Sequence, residues 1–137
     1  MLAQQHRMRT KVQFSETTRS GVRTGRRNLV LYTVEKNSEP TTVGFIVSKA
    51  VGNAVVRNKT KRRLRELAAT TVAENPHGLY IVVRALPASA HATWSELSAD
   101  YTEALTSVLA KLAKQSPNSL AVAESPDAAR TTPREES

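Results

Sequence analysis

The sequence predicts an α+β domain in which helices pack on a small mixed sheet, and three observations lead there. Stretches with apolar residues at three- and four-residue steps alternate with short β-branched runs, in the order helix, strands, helix, strand, helix. Two of the strand-like runs flank one strongly basic helix, so that helix is a crossover element. A chain of 137 residues is long enough for one domain with a real core and too short for two. Residues 1–114 are read as that single domain and residues 115–137 as a disordered tail.

The first helix is expected over residues 10–19, ended by the stop signal Ser20-Gly21. Residues 28–34, N-L-V-L-Y-T-V, read as a strand from their β-branched and aromatic content. Residues 35–40 are polar and turn-like. Residues 42–49, T-V-G-F-I-V-S-K, give a second strand, expected to form an antiparallel hairpin with the first. Gly44 within it marks a bulge or a close backbone approach. Gly52-Asn53 is a turn before the basic helix, residues 56–73, and Asn75-Pro76-His77-Gly78 closes that helix. Residues 79–83 form a third apolar strand and residues 87–91 a loop. The last helix, residues 94–114, places Leu97, Tyr101, Ala104, Leu105, Val108 and Leu112 on one face, which packs on a sheet. Trp94 at its start is expected to pack as well. From residue 115 onward Ser, Pro, Ala and charges replace the periodic pattern.

Charge narrows the function. Net charge is +8, and residues 1–114 hold 18 Lys and Arg against eight Asp and Glu, a net of +10. So cationic a domain points to nucleic acid or an anionic membrane surface. No apolar run approaches the roughly 20 residues of a spanning helix, and the first residues lack the apolar stretch of a secretory signal. The absence of cysteine excludes disulfides, thiolate metal sites and cysteine nucleophiles, and suits the cytoplasm. His6, His77 and His91 are scattered without metal-ligand spacing. The only aspartates are Asp100 and Asp127, and Glu16, Glu35, Glu66 and Glu103 form no ligand-spaced cluster. Neither a Ser/His/Asp arrangement nor a phosphate-cradling glycine loop is present. We therefore expect no protein catalytic residue, and no metal or cofactor bound by the protein alone.

Seven cations and no acid occupy residues 49–65: Lys49, Arg57, Lys59, Lys61, Arg62, Arg63 and Arg65. At 100° per residue, Arg57, Asn58, Lys61, Arg62 and Arg65 share an arc of about 140°. Leu64, Leu67, Ala68 and Thr71 lie on the neighbouring arc, while Lys59 and Arg63 point to the far side. Like charges at this spacing repel unless a polyanion neutralises them. Arginine forks match phosphate oxygens in pairs, lysine acts as a point charge, and Asn58 can meet a sugar hydroxyl or a base edge.

The run over residues 44–66, G-F-I-V-S-K-A-V-G-N-A-V-V-R-N-K-T-K-R-R-L-R-E, resembles the signature of the bacterial ribonuclease P protein subunit, V-S-K-K-x-G-N-A-V-x-R-N-R-x-K-R-x-x-R. Likeness extends to residues 7–32 and 80–89. The resemblance implies a ribonucleoprotein in which a catalytic RNA, with Mg2+, removes the 5′ leader of precursor tRNA. The small basic protein binds that RNA and the leader, and no protein partner is required. It also implies the order α-β-β-β-α-β-α, a ribosomal-protein-like domain with a left-handed βαβ crossover, and an extra strand near residues 22–26. Carried onto this chain, contact with the catalytic RNA falls to Asn53, Arg57, Asn58, Lys59, Lys61, Arg62, Arg63 and Arg65. Lys59 stands where arginine is usual. The leader cleft would comprise Phe14 and Tyr32, bordered by Ser48 and Lys49, with Thr18 where a second helix aromatic is common. On the residues alone, Phe14 and Tyr32 fit core packing equally well. A structural ribosomal or assembly protein would share the fold, the charge and the helix. A DNA-binding helix is disfavoured because no helix-turn-helix or dimer zipper accompanies it.

Overall fold

Local sequence sets each element. A computed structural model describes residues 3–115. Thr10 opens the first helix with a capping box: its Oγ1 accepts the Gln13 N–H at 3.1 Å, and Gln13 Oε1 accepts the Thr10 N–H at 3.1 Å. That helix, α1, is Lys11–Ser20; β1 (Val22–Gly25), β2 (Leu29–Pro40), β3 (Thr42–Ile46), α2 (Ala54–Glu74), β4 (His77–Ala85) and α3 (Trp94–Gln115) follow. The order is α-β-β-β-α-β-α, and a further strand does fall at Val22–Gly25. Single 3-10 turns occupy Gln4–His6 and Pro87–His91, the second of these where a loop was expected.

The sheet order is β1-β2-β4-β3. β1 pairs antiparallel with β2, β2 antiparallel with β4, and β3 parallel with β4. The sheet is therefore mixed, but the expected hairpin between the second and third strands does not form. β4 lies between them. Its run L-Y-I-V-V, residues 79–83, is buried without alternation, the mark of a strand covered on both faces, and such a strand takes the centre. The connection β3–α2–β4 joins neighbouring parallel strands.

A second expectation is also corrected. Residues 35–40 continue β2 rather than turning, with Glu35 opposite Leu79, Lys36 opposite Gly78, and a register break before Pro40 meets His77. The start of β4 supplies backbone partners there, and Glu35, Asn37 and Glu39 keep their side chains exposed beyond the core. Gly78, at φ +104°, takes a backbone conformation that side chains disfavour.

The two faces of the sheet are covered differently. On one, α2 and α3 enclose the main core, with Leu29, Leu31, Leu64, Ile81, Val83, Leu97 and Val108 buried. On the other, α1 and the segment before it cover a smaller cluster of Met8, Tyr80 and Val82, flanked by Phe14, Tyr32 and Ile46. The tail expected over residues 115–137 lies outside the described residues, apart from Gln115 at the end of α3.

Candidate nucleic-acid interface

The turn that leads into α2 is fixed by Val51 N–H to Ser48 C=O at 3.0 Å and Gly52 N–H to Lys49 C=O at 3.1 Å. Asn53 then caps the helix, its Oδ1 accepting the Val56 N–H at 3.0 Å. Along α2, Thr60, Leu64, Ala68, Thr71 and Val72 face the core. Asn58, Lys59, Arg62 and Arg65 are exposed, and Arg57, Lys61 and Arg63 are half-buried. Among the described residues, none of the α2 cations pairs with a carboxylate; ion pairs form elsewhere, as at Arg26–Glu103 and Lys36–Glu16. The helix thus displays unneutralised charge on a rigid support.

Two arginines of the run depart from a simple solvated ladder. Arg63 Nη1 donates to the Ala92 carbonyl at 2.9 Å, tying α2 to the turn before α3. Arg57 Nε is buried without a hydrogen-bond partner, which leaves its half-sunk guanidinium one donor short. Asn53 is engaged locally, its side-chain oxygen accepting from the helix at an exposed position.

The second candidate site lies on the other face of the sheet. Phe14 projects from α1 onto Gly44: a Cβ there would stand 2.5 Å from Phe14 Cε1 and Cζ. Where a bulge or a close backbone approach was expected at Gly44, β3 pairs with β4 without a break and the close contact is with this side-chain ring. Tyr32, Ile46, Tyr80 and Val82 complete the apolar floor beside Phe14. Ser48 and Lys49 follow Ile46 in the exposed loop leaving β3. The Thr18 hydroxyl donates to the Phe14 carbonyl at 2.9 Å, so it is spent on the helix backbone.

Polar contacts border this apolar cluster at Tyr80. Tyr80 Oη donates to Glu39 Oε1 at 2.7 Å, and Gln13 Nε2 donates to Tyr80 Oη at 3.4 Å. Lys36 pairs with Glu16 and lies 5.4 Å from the centroid of the Tyr80 ring. The Glu39 carboxylate raises the Tyr80 phenol, and the Glu16 carboxylate raises the Lys36 ammonium. Two cations that the sequence reading did not assign to a site lie beside the cluster. Arg23, opposite Tyr32 in the β1–β2 register, places its guanidinium 5.9 Å from the ring centroid. Arg84 is exposed, opposite Val30 on β2 and Ile46 on β3. Period-two alternation from Tyr80 through Val82 puts Arg84 on this face, a signal available once β4 is known to be central.

Trp94 does not pack as expected: it is 42% exposed at the first position of α3. No group of three or more His, Asp or Glu side chains among the described residues could hold a metal ion.

The fold and these surfaces define a small basic α+β protein with an unneutralised crossover helix on one side of its sheet and a half-buried aromatic cluster on the other. The family model of ribonuclease P matches residues 2–109. The chain is 54% identical to the ribonuclease P protein component of Pseudarthrobacter chlorophenolicus over 135 residues, covering 98% of this chain and 99% of the relative. It is 56% identical to that of Kocuria rhizophila over 113 residues, 82% of this chain and 100% of the relative. Among solved structures, the RNase P protein of Staphylococcus aureus aligns with a TM-score of 0.67 at 26% identity, covering 74% of this chain and 93% of that one. The Thermotoga maritima RNase P protein, at 21% identity and a TM-score of 0.62 over 71% of this chain and 92% of its own, shares the fold. The chain belongs to the ribonuclease P protein family, whose members serve as the protein component of a ribonucleoprotein in transfer RNA processing.

Proposed function

We propose that this chain docks on the catalytic RNA of ribonuclease P through α2 and holds the 5′ leader of precursor tRNA in the cleft beneath α1. The observation that carries this is the cation row on α2: Arg57, Lys61, Arg62 and Arg65, with Asn58 among them, has no carboxylate partner among the described residues. A compact anion-facing surface of this kind is matched by folded RNA, whose phosphates release counterions on binding. Asn53, Lys59 and Arg63 widen the contact, with Arg63 also bound to the Ala92 carbonyl. The leader reading rests on Phe14 and Tyr32, only half-buried and sharing one apolar floor. Unpaired bases stack on such rings whatever their sequence. Ser48 and Lys49 stand at the border toward α2.

The protein's own carboxylates do not fit a catalytic metal. Glu16 is held by Lys36, Glu39 by Tyr80, and Asp100 by the Asn28 backbone and amide N–H groups. Magnesium belongs to the RNA in this proposal, and the protein's part is to bind, orient and neutralise. Residues 1–114 suffice for that work, in the cytoplasm and without a further protein partner. Reconstitution with the cognate catalytic RNA at low magnesium tests it. Leader removal should depend on the protein there, and the protein without RNA should cut nothing. Unchanged ribozyme turnover on adding the protein would sink the proposal.

A further inference from the structure

A gap in the cleft points to a residue of its own. Thr18 offers no aromatic face, and its hydroxyl is already donated to the Phe14 carbonyl. On the facing strand, Arg23 projects from the same side of the sheet as Tyr32, directly across the β1–β2 pair. Its guanidinium lies 5.9 Å from the Tyr32 centroid, within the range of a cation–π contact. Lys111 Nζ donates to the Arg23 carbonyl at 2.6 Å and to Thr24 Oγ1 at 3.0 Å, which pins β1 against α3 and fixes the root of the arginine. No carboxylate among the described residues pairs with the Arg23 side chain. A guanidinium is planar, stacks on bases as aromatic rings do, and keeps five donors for phosphate oxygens.

We infer that Arg23 is a third stacking surface of this cleft beside Phe14 and Tyr32, extending Tyr32 sideways and gripping one unpaired nucleotide of the leader by base and phosphate. The inference rests on the leader reading above. It makes leader recognition in this chain part aromatic and part cationic. A lysine would keep the charge but lose the plane.

The test uses the reconstituted ribonucleoprotein and precursor tRNAs with long and short 5′ leaders. The quantity read is the ratio of their dissociation constants, with thermal unfolding of each free protein as the control for folding. Arg23→Ala should shrink the long-leader advantage about two- to fivefold, the worth of an exposed cation–π contact. Arg23→Lys should recover little of it, and Thr18→Phe added to Arg23→Ala should restore it. Tyr32→Ala separates the two layers. If Tyr32→Ala and Phe14→Ala each leave the ratio unchanged, the cleft does not bind leader at all, and the role of Arg23 falls with it. If Tyr32→Ala lowers it while Arg23→Ala does not, the cleft stands and the role of Arg23 is overturned. Full recovery by Arg23→Lys would also overturn it, leaving a point charge in place of a stacking plane.

Discussion

A methyl group added at Gly44 would stand 2.5 Å from two atoms of the Phe14 ring and 3.0 Å from Met8 Cβ. The ring tip is the free end of a side chain, so Gly44→Ala should displace Phe14 rather than unfold the domain. The expected loss of stability is about 1 kcal/mol, at the low end for an overpacked site. Affinity for long-leader precursor should fall with it, which calorimetric melting and binding assays on the same preparation will separate. Deeper in the molecule, burial pushes the Tyr101 phenol up to about 12, against the hydrogen bond at 2.6 Å to Thr71 Oγ1. Its ordinary value is 10.0. The folded state therefore keeps a proton that the unfolded chain loses, so this contribution is intact below pH 10 and is lost as pH climbs toward 12. The loss should approach roughly 2–3 kcal/mol, and Tyr101→Phe should flatten the alkaline slope in denaturant titrations. A slope unchanged by Tyr101→Phe would place the alkaline transition elsewhere.

At the scale of elements, α2 does two things with one run of cations. Replacing Arg57, Lys61 and Arg65 by alanine should reduce the salt dependence of RNA binding. Each lost phosphate contact lowers the log–log slope by on the order of 0.7–0.9. Arg63→Ala should act otherwise, because Arg63 Nη1 holds the Ala92 carbonyl. It should cost about 1 kcal/mol of stability as well, where the triple variant costs little. Circular dichroism melts of the two proteins side by side give the comparison. The helix and the exposure of Asn58, Lys59, Arg62 and Arg65 were legible in the sequence because periodicity is local, whereas Asn53, read as part of a turn, caps a helix that starts two residues before the expected residue 56. The partner of Arg63 was not legible. It comes from a turn 29 residues away, which no helical wheel contains. Trp94 was misread for a related reason: aromatic size predicts burial on average, but a residue ahead of the first core position of α3 has no sheet beneath it.

Across the whole molecule, charge sets the balance between folding and binding. A net of +10 over residues 1–114 opposes compaction, and a polyanion that binds only the folded form relieves it. RNA at a hundredfold above its dissociation constant should stabilise the protein by about 2.7 kcal/mol, and high salt should abolish the gain. An unfolding midpoint indifferent to RNA at low salt would contradict the account of the α2 surface. Most of the element order was legible, since the helices and β2, β3 and β4 carry their own periods, while β1 was implied only by the family resemblance and the pairing was not legible. Adjacency in sequence suggested a hairpin of β2 with β3, while the unalternating apolar run of β4 was the better guide to the centre. The strand at Glu35, Lys36 and Pro40 escaped notice because its pairing comes from Leu79, Gly78 and His77 rather than from its own composition.

The central position of β4 also orders events during synthesis. Until residues 77–85 leave the ribosome, β3 has no strand to lie against and β2 has only β1 beside it. While residues 77–85 are still inside the ribosome, α2 therefore emerges as a cationic helix lacking its scaffold. Nine residues later, the middle of the sheet arrives and both flanks can close on it together.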